Sequence, residues 1–342
     1  VAEMMGGAHP AYEFTSASLA AGKHVVTSNK EVVATFGAQL LDLAREHHVS
    51  YLFEASVGGG IPIIRPISQC LAANDIDEIA GILNGTTNFI LTKMISDGMT
   101  FDEALLLAQR NGYAERDPSA DVDGFDACRK ICILAALCFG KHVYPDSVYT
   151  EGIRKITLAD VEYARVWGGV IKLIARAKLL EDNRVAVMVS PAFVQNHSQL
   201  ASVDDVFNAI LVRGDAIGDV VFYGKGAGAM PTASAVVADV IDCARHMNGK
   251  KFFGWQDSED GYVANYLDTK SSFYIRMTAD DAAAALVQVN KAFGEVSMLT
   301  RADAPDGEFA FVTATLSEKE LADKLAAFTG ATAESIIRIT DY

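Results

Sequence analysis

The first 57 residues alternate between short apolar runs and longer amphipathic stretches. The runs VAEMM, KHVVTSN and VSYLFEASV have the length of buried strands, and PAYEFTSASLAAG and EVVATFGAQLLDLAREHH have the spacing of helices. Strands and helices in alternation predict right-handed crossovers and a parallel sheet. Ligands of such a sheet bind beyond the carboxyl ends of its strands, which here are MGGAHP, TSNKE and ASVGGGIP.

From Gly60 to about Gly224 the pattern changes to longer helices mixed with strands, which is typical of an α+β domain. The segment ILNGTTNFILTKMISDG predicts a strand, an Asn-Gly turn and a helix that ends at Gly98. Thr100 and Glu103 form a capping box at the start of the helix FDEALLLAQRNG. The runs VAVMVSPAFV and GDVVFYG predict further strands.

The last third of the chain contains one more helix and a separate repeat of strands. GKGAGAMPTASAVVADVIDCARHM predicts a glycine-rich turn and a helix from near Thr232 to about Met247, which we expect to pack on the first domain. The polar stretch NGKKFFGWQDSEDG predicts a linker. Residues 262–342 are expected to stand apart, and they show the order β-α-β-β-α-β of the ferredoxin-like split motif. Such a module suits ligand sensing or subunit pairing.

Composition narrows the class of partner. Half of the 342 residues are hydrophobic, and 44 acidic against 29 basic residues give a net charge of -15. This excess of acid argues against nucleic acid or an anionic membrane as the main partner and favours a small molecule. No apolar run reaches the roughly 18 residues that span a bilayer. Five cysteines without a CxxC pair fit a reducing cytoplasm.

The segment FDACRKICILAALCF predicts a largely apolar helix that carries Asp126 and Lys130 on one face near its start. Two interpretations stay open. The pair is a solvated surface ion pair, with Asp123 and Asp126 also capping the helix, or the helix is buried and its charges face a cavity. In the second case Lys130 is a candidate proton donor to an oxyanion, because burial and a neighbouring carboxylate have opposite effects on the pKa of a lysine.

The loop GYAERDPSADVDG carries several carboxylates just before this helix. They are solvated loop acids or ligands of Ca²⁺, although the spacing lacks the glycine and the terminal glutamate of an EF-hand loop. A third interpretation is that one or two of them, with Asp126, hold the ammonium group of a substrate. The seven histidines are scattered without metal-ligand spacing, so we expect no histidine metal site.

Three further segments place polar groups or glycines where a ligand is expected. Lys30 follows the strand KHVVTS and is either a surface lysine at a helix start or a ligand-binding group. The three consecutive glycines of EASVGGGIP allow a ligand to approach closely and leave carbonyl groups free for a hard cation. In LNGTTNF, Thr86 and Thr87 begin a helix and suit either ordinary capping or an anionic or carbonyl group.

Taken in order, GKHVVTSNKE, EASVGGGIPII, ILNGTTNFIL, GYAERDPSADVDGFDACRK and GAGAMPTASAVVADV resemble the motifs of the homoserine dehydrogenase family over nearly the whole chain. The acidic motif that ends in Asp126 and Lys130 is highly specific. The resemblance implies NAD(P)-dependent reduction of L-aspartate 4-semialdehyde to L-homoserine, or the reverse, in threonine, methionine and isoleucine biosynthesis. It also implies an α/β fold with a partial Rossmann-like parallel sheet, an α+β catalytic and dimerisation domain and a C-terminal ferredoxin-like (ACT) domain.

The same resemblance implies roles for individual residues. Lys130 is implied to be the acid and base that serves the aldehyde oxygen, and Lys30 a second catalytic lysine near cofactor and substrate. The residues implied to hold the substrate are Glu115, Asp126, Gly85 and Thr86. The residues implied to approach the cofactor are Lys30, Ser28, Gly58 and Gly228. A monovalent cation, usually sodium, is implied on Glu54, Val57, Gly59 and Ile61, largely through carbonyl groups.

Two stretches depart from the family pattern. The GxGxxG fingerprint that opens the family's nucleotide-binding domain is absent, so we expect a fragment that lacks roughly 90 residues or a chain that has lost its dinucleotide cradle. In the tail, TADDAAAALVQV has alanines where ACT domains carry a glycine at the ligand-binding turn. This change weakens the expectation of threonine binding but not that of subunit pairing.

These observations set the expected organisation. We expect residues 1–58 with 226–248 to be the remainder of an NAD(P)-binding Rossmann domain, 59–225 the substrate-binding and dimerisation domain, 249–261 a linker and 262–342 the ACT domain. A cytoplasmic homodimer or homotetramer is expected, with no nucleic acid or membrane partner. The rival hypothesis is a non-catalytic, amino-acid-binding oligomer that has lost its dinucleotide site, and cofactor binding separates the two.

Overall fold

The computed structural model describes residues 1–247, 251 and 253–342. Its first part consists of β1 (Ala2–Glu3), α1 (Ala11–Ala20), β2 (Val25–Thr27), α2 (Lys30–Glu46) and β3 (Tyr51–Leu52). The three strands form a parallel sheet with β2 in the middle, which confirms the predicted alternation. The strands are shorter than the apolar runs, and the last run leaves the sheet early because Glu54–Ser56 turn into a short 3₁₀ helix.

The second part is a mixture of helices and antiparallel strands. Its elements are β4 (Ile76–Ile82), α3 (Gly85–Asp97), α4 (Phe101–Arg110), α5 (Ser119–Val122), α6 (Phe125–Phe139), β5 (Tyr149–Thr150), α7 (Leu158–Trp167), β6 (Gly169–Leu179), β7 (Val185–Gln195), β8 (Phe207–Gly214) and β9 (Gly218–Lys225). The long strands lie in the order β7-β6-β4-β8-β9. Helix α3 begins at the Asn84 cap and ends at Gly98, whose left-handed φ of +67° favours glycine, and α4 begins at the predicted capping box.

Five elements of this part were not among the predicted ones, namely α5, β5, α7, β6 and β8. In β6, buried Ile171, Leu173 and Ala175 alternate with Lys172, buried Ile174 and Arg176. This alternation is the ordinary signal of a strand, but its charged positions make the segment resemble a polar connection. Lys172 is nevertheless buried, because the carbonyl oxygen of Val203 accepts a hydrogen bond from its ammonium group at 2.5 Å.

Helix α8 (Ala229–Arg245) follows the second part and returns to the first. It begins three residues before the predicted start, directly after Gly228. Val236 of this helix packs in one apolar cluster with Val26 and Leu52 of the parallel sheet. The return of this helix places the turn before it, at 225–228, beside the glycine-rich turn at 58–60.

The C-terminal part has the predicted β-α-β-β-α-β order. Its elements are β10 (Lys270–Ala279), α9 (Ala282–Phe293), β11 (Ser297–Leu299), β12 (Glu308–Val312), β13 (Leu316–Ser317), α10 (Glu318–Ala326) and β14 (Ala331–Thr340). The strands lie in the order β11-β12-β10-β14, which is the ferredoxin-like arrangement. The expectation that this part stands apart is wrong, because β14 pairs in parallel with β7 and joins the two sheets into one.

The segment between α8 and the C-terminal part was predicted to be a linker at 249–261. Residues 248–250 and 252 lie outside the described residues, so the structure does not test the prediction at these positions. In the described part of this segment, Trp255 is only 3% exposed and packs in the main core. Within residues 1–247, 251 and 253–342, no helix combines the length and the apolar character that crossing a membrane requires.

Candidate active site

Lys130 lies on the inner face of α6, where it is 7% exposed. Its ammonium group donates to Asp126 Oδ2 at 2.7 Å and to the carbonyl oxygen of Leu83 at 2.8 Å. Asp126 is 4% exposed and lies one helical turn before Lys130. The interpretation of a solvated surface pair is therefore wrong. The helix starts after Gly124 without a side-chain cap, so the expected capping by Asp123 and Asp126 is wrong as well.

Lys30 reaches the same carboxylate from the first part of the chain. It is the first residue of α2, directly after Asn29, whose side chain caps the helix by accepting from the backbone N–H groups of Glu31 and Val32. The cap fixes the start of α2 at the carboxyl end of β2. Lys30 Nζ lies 2.8 Å from Asp126 Oδ1. Asp126 thus bridges the two lysines, and we call Lys30, Asp126 and Lys130 the ion triad.

The electrostatics of the ion triad keep its carboxylate charged. Burial alone would raise the pKa of Asp126, but the ammonium groups of Lys130 and Lys30 outweigh it and hold that pKa well below its ordinary value. For Lys30, burial lowers the pKa and Asp126 raises it, and the net effect is a raised pKa. The ion triad therefore combines two positive charges with one negative charge. Its net positive charge suits an oxygen that becomes negative during a reaction.

Asn84 is a functional candidate that the sequence interpretation missed. Its amide nitrogen donates to Asp126 Oδ2 at 2.9 Å and to Asp121 Oδ1 at 2.6 Å. Its amide oxygen accepts from the backbone N–H of Thr87 at 2.8 Å, which fixes which end of the amide faces the acids. The Asn-Gly turn before α3 was the available signal, but it was taken only as a turn.

Asp121 is the acid of the upstream loop that the structure brings to the ion triad. Burial, and next the charge of Asp126, raise its pKa, while the hydrogen bond from Asn84 opposes the shift. Glu115, in contrast, is exposed, and its backbone carbonyl accepts from Gln109 Nε2 at 3.0 Å. Of the loop acids, Asp121 rather than Glu115 therefore lies against the predicted substrate site.

Gly85 and Thr86 follow Asn84 at the start of α3. Thr86 Oγ1 donates to the carbonyl oxygen of Tyr113 at 2.7 Å, which ties the acidic loop to this helix. A Cβ atom on Gly85 would lie 2.8 Å from the carbonyl oxygen of Val206, so only glycine allows this close approach. Both predicted residues thus lie beside the ion triad.

The two glycine-rich turns that were expected near the cofactor lie against each other. The backbone N–H of Gly60 donates to the carbonyl oxygen of Lys225 at 3.1 Å. A Cβ atom on Gly59, which has φ +55°, would lie 2.6 Å from the carbonyl oxygen of Gly226. Gly228, which is exposed, directly precedes the 17-residue helix α8. A helix start of this kind offers unpaired N–H groups to a phosphate.

The predicted cation residues split into two groups. The carboxylate of Glu54 accepts from the backbone N–H groups of Ile63, Ile64 and Arg65 at 2.7 to 2.9 Å, so it is already satisfied. Within the described ranges, the carbonyl oxygens of Val57, Gly59 and Ile61 accept no hydrogen bond. No group of three or more His, Cys, Asp or Glu in those ranges could hold a metal ion. A cation at this turn would therefore have to bind carbonyl oxygens.

Comparison with known proteins shows which family the chain resembles. A family model described as homoserine dehydrogenase matches residues 62–241. Homoserine dehydrogenase of Synechocystis sp. is 52% identical over 71% of this chain and 57% of its own length. That of Pseudomonas aeruginosa is 40% identical over 96% of this chain and 79% of its own length.

A solved structure gives the same result. The crystal structure of a homoserine dehydrogenase from Thiobacillus denitrificans matches with a TM-score of 0.92 and 37% identity, over 100% of this chain and 82% of that one. The matched fold is that of a family of oxidoreductases. The chain belongs to the homoserine dehydrogenase family, and it spans between about half and four fifths of the length of these relatives.

Proposed function

We propose that this chain carries the catalytic centre for NAD(P)-dependent interconversion of L-homoserine and L-aspartate 4-semialdehyde, with Lys130 as the acid and base. The observation that supports it most is the fixed geometry of Lys130, whose ammonium has three N–H donors and two named acceptors. The third donor is available to a substrate oxygen. A buried ammonium in this position stabilises negative charge without having to reorient.

In the direction of reduction, the aldehyde oxygen gains negative charge and takes a proton from Lys130, which becomes a neutral amine. Asp126 remains anionic throughout, because Lys30 still binds its other oxygen, and it holds the amine in place for reprotonation. In the reverse direction, the neutral amine accepts the proton of the substrate hydroxyl. Bound NAD(P) supplies the hydride donor or acceptor.

We further propose that Asp121 holds the ammonium group of the substrate, since its carboxylate lies beside Asp126 on the same Asn84 amide. Glu115 could join only if the exposed loop 112–117 moved toward the site. Gly85 and Thr86 would line the substrate from the start of α3. Asp126 would not bind the ammonium group of the substrate directly. It would act on the substrate through Lys30 and Lys130, which it bridges.

The cofactor would lie across the paired turns, with Gly58 and Gly228 at its phosphates and Ser28 and Lys30 toward the substrate. The close packing of Gly59 on Gly226 supports this, because it leaves the helix start after Gly228 open. A monovalent cation would be held by the carbonyl oxygens of Val57, Gly59 and Ile61, with Glu54 contributing its backbone alone, because its carboxylate is occupied.

We propose the domain division that the sequence predicted, with the ferredoxin-like part, 262–342, as an ACT regulatory module. Its strand order supports this proposal. A homodimer or homotetramer is proposed because the joined sheet ends at β9, an edge strand on which Tyr223 is 57% exposed. A cytoplasmic location is proposed because all five cysteines are free.

Initial rates of NADP⁺ and NAD⁺ reduction with L-homoserine test the catalytic proposal. The full-length protein is expected to show homoserine-dependent reduction, and Lys130→Ala is expected to lose at least about a hundredfold in kcat. Calorimetry of homoserine binding to both proteins is the control for folding. A folded protein that binds homoserine but reduces neither cofactor would support the rival, non-catalytic hypothesis, and an active Lys130→Ala variant would refute the role of Lys130.

A further inference from the structure

The two helices that carry the lysines of the ion triad are also connected through Trp255. Lys30 is the first residue of α2, and Gly37 lies seven residues later on the buried side of the same helix. A Cβ atom on Gly37 would lie 2.8 Å from Cζ2 and 2.9 Å from Cη2 of Trp255. The indole ring therefore occupies the space of the missing side chain. Helix α2 can approach Trp255 this closely only because residue 37 is glycine.

Trp255 is in turn fixed to the end of α6, the helix that carries Lys130. Its indole Nε1 donates to His142 Nδ1 at 3.0 Å, and the two rings stack with centroids 5.3 Å apart. The backbone N–H of His142 donates to the carbonyl oxygen of Gln256 at 2.8 Å, and that of Gln256 donates to Gly140 at 2.9 Å. Gly140 ends α6. These bonds attach the segment around Trp255 to α6 on two sides.

The protonation state of His142 agrees with this bond. Burial lowers its pKa to about 4, so the ring is neutral near pH 7 and its Nδ1 can accept from the indole. The proton of the neutral ring then lies on Nε2, which is buried. The indole bond therefore marks His142 as the holder of Trp255.

The ion pairs near the ion triad add little to the position of α2 relative to α6. Apart from the Lys30–Asp126 bond, the ion pair between these helices is Arg129–Glu31 at 3.6 Å, and both of its side chains are partly exposed. Pairs of this kind contribute little. A rigid helix transmits a shift at Gly37 to its first residue, about 10 Å away at 1.5 Å per residue. Trp255 thus decides how close α2 comes to α6.

We propose that Trp255, held by His142 and seated on Gly37, is a positioning residue that sets the contact between Lys30 and Asp126. The proposal rests on the proposed function for its catalytic consequence, but the contact itself is independent of turnover. Trp255 touches neither substrate nor reacting atoms and acts only through α2.

The test uses Gly37→Ala, whose new methyl group must displace either the indole or α2. Lys30 reactivity is measured with an amine-selective reagent and peptide mass spectrometry, with exposed Lys23 of the same protein as the internal standard. We expect Lys30 in Gly37→Ala to react severalfold faster than in the unmodified protein, because its carboxylate partner has moved away. The kcat for homoserine oxidation should fall about tenfold to a hundredfold, as for a misplacement near 1 Å.

Two further variants separate positioning from loss of folding. Trp255→Leu removes the ring on which Gly37 is seated, so it should also speed the labelling of Lys30 and lower the kcat. Trp167→Phe alters the other tryptophan, which packs on Phe193 away from α2, and should change neither quantity.

The proposal is overturned if Gly37→Ala melts at a lower temperature while Lys30 labelling stays unchanged, because Trp255 would then be ordinary core packing. It is also overturned if Lys30 in Trp255→Leu is labelled as slowly as in the unmodified protein. Labelling that follows the expected pattern in a protein without dehydrogenase activity would instead refute the proposed function and leave the positioning role intact.

Discussion

Two buried carboxylates in this protein each lie between two cations, and they differ in the kind of cation. Asp126 binds Lys30 and Lys130 at 2.8 and 2.7 Å. Glu308, where the ferredoxin-like part meets α7, binds Arg276 and Arg301 at 3.3 and 2.8 Å. Both carboxylates are nearly inaccessible. The two carboxylates are therefore almost equally buried, and they differ in whether lysines or arginines bind them.

The difference teaches what a buried ion pair is built to do. At the junction, Arg276 also donates to Asp160 at 3.0 Å and to Thr157 at 3.3 Å, so each of its three nitrogen atoms has an acceptor. Arginine does not lose its proton in proteins, so this network can only hold parts together. The lysines of the ion triad can lose a proton, and within the described part of the chain Lys130 uses two of its three donors. The same burial thus serves attachment in one place and proton transfer in the other.

The largest expected effect breaks this contrast at the active site. Lys130→Arg keeps the positive charge but replaces a group that releases its proton with one that does not. We expect kcat for homoserine oxidation to fall about 10²- to 10⁴-fold, while the denaturation midpoint changes little. Measured kcat values across pH 6–9 check this. A variant that keeps more than a tenth of the activity would show that charge alone, rather than proton transfer, is required.

Next in size is the loss of an arginine at the junction. Arg276→Met leaves Asp160 and part of Glu308 buried without their partner, which costs about 3 kcal/mol or more. We expect a lower urea midpoint and little change in kcat. The double variant with Asp160→Asn, which removes the stranded charge, should recover part of the stability. A loss of kcat without a loss of stability would contradict the assignment of this network to attachment.

Local patterns account for what the sequence could predict. The capping box at Thr100, the glycine that ends α3 and the alternation of the C-terminal part all depend on neighbours a few residues away. Lys130 and Asp126 lie four residues apart, so their pairing was predictable too. The burial of that pair was not predictable, because it depends on the strands β4, β6 and β7, which α6 covers.

The missed features of the site depend on distant residues. Lys30 meets Asp126 across 96 positions, and Asn84 meets Asp126 across 42, so no spacing rule connects them. The exposure of Glu115 is likewise decided by the course of its loop, since Gln109 binds only its backbone. Motif resemblance named most of these residues, but the partner of each came from the fold. The roles that the resemblance implied for Glu115 and for the cation residues stay predictions.

A smaller effect concerns pH. The pKa of Asp126 is depressed in the folded protein, so its contribution to stability is present above the ordinary aspartate pKa of about 4 and is lost as the pH falls toward the folded value. Asp126→Asn should therefore be less stable than the unmodified protein by on the order of 2 kcal/mol at pH 7. The difference should shrink below about pH 4. Urea midpoints at pH 7, 5 and 3.5 measure it, and a difference that grows on acidification would contradict the ion triad.

The smallest expected effect comes from an ion pair that is equally short but exposed. Arg154 Nε lies 2.5 Å from Asp123 Oδ1, close to the start of α6, and the two side chains are 44% and 32% exposed. Water and salt screen such a pair, so a double-mutant cycle of Arg154→Ala and Asp123→Ala should give a coupling below about 1 kcal/mol. The coupling should fall further in 1 M salt. A coupling as large as that expected for Arg276 would mean that distance rather than burial sets these energies, and the contrast between the two carboxylates would lose its physical basis.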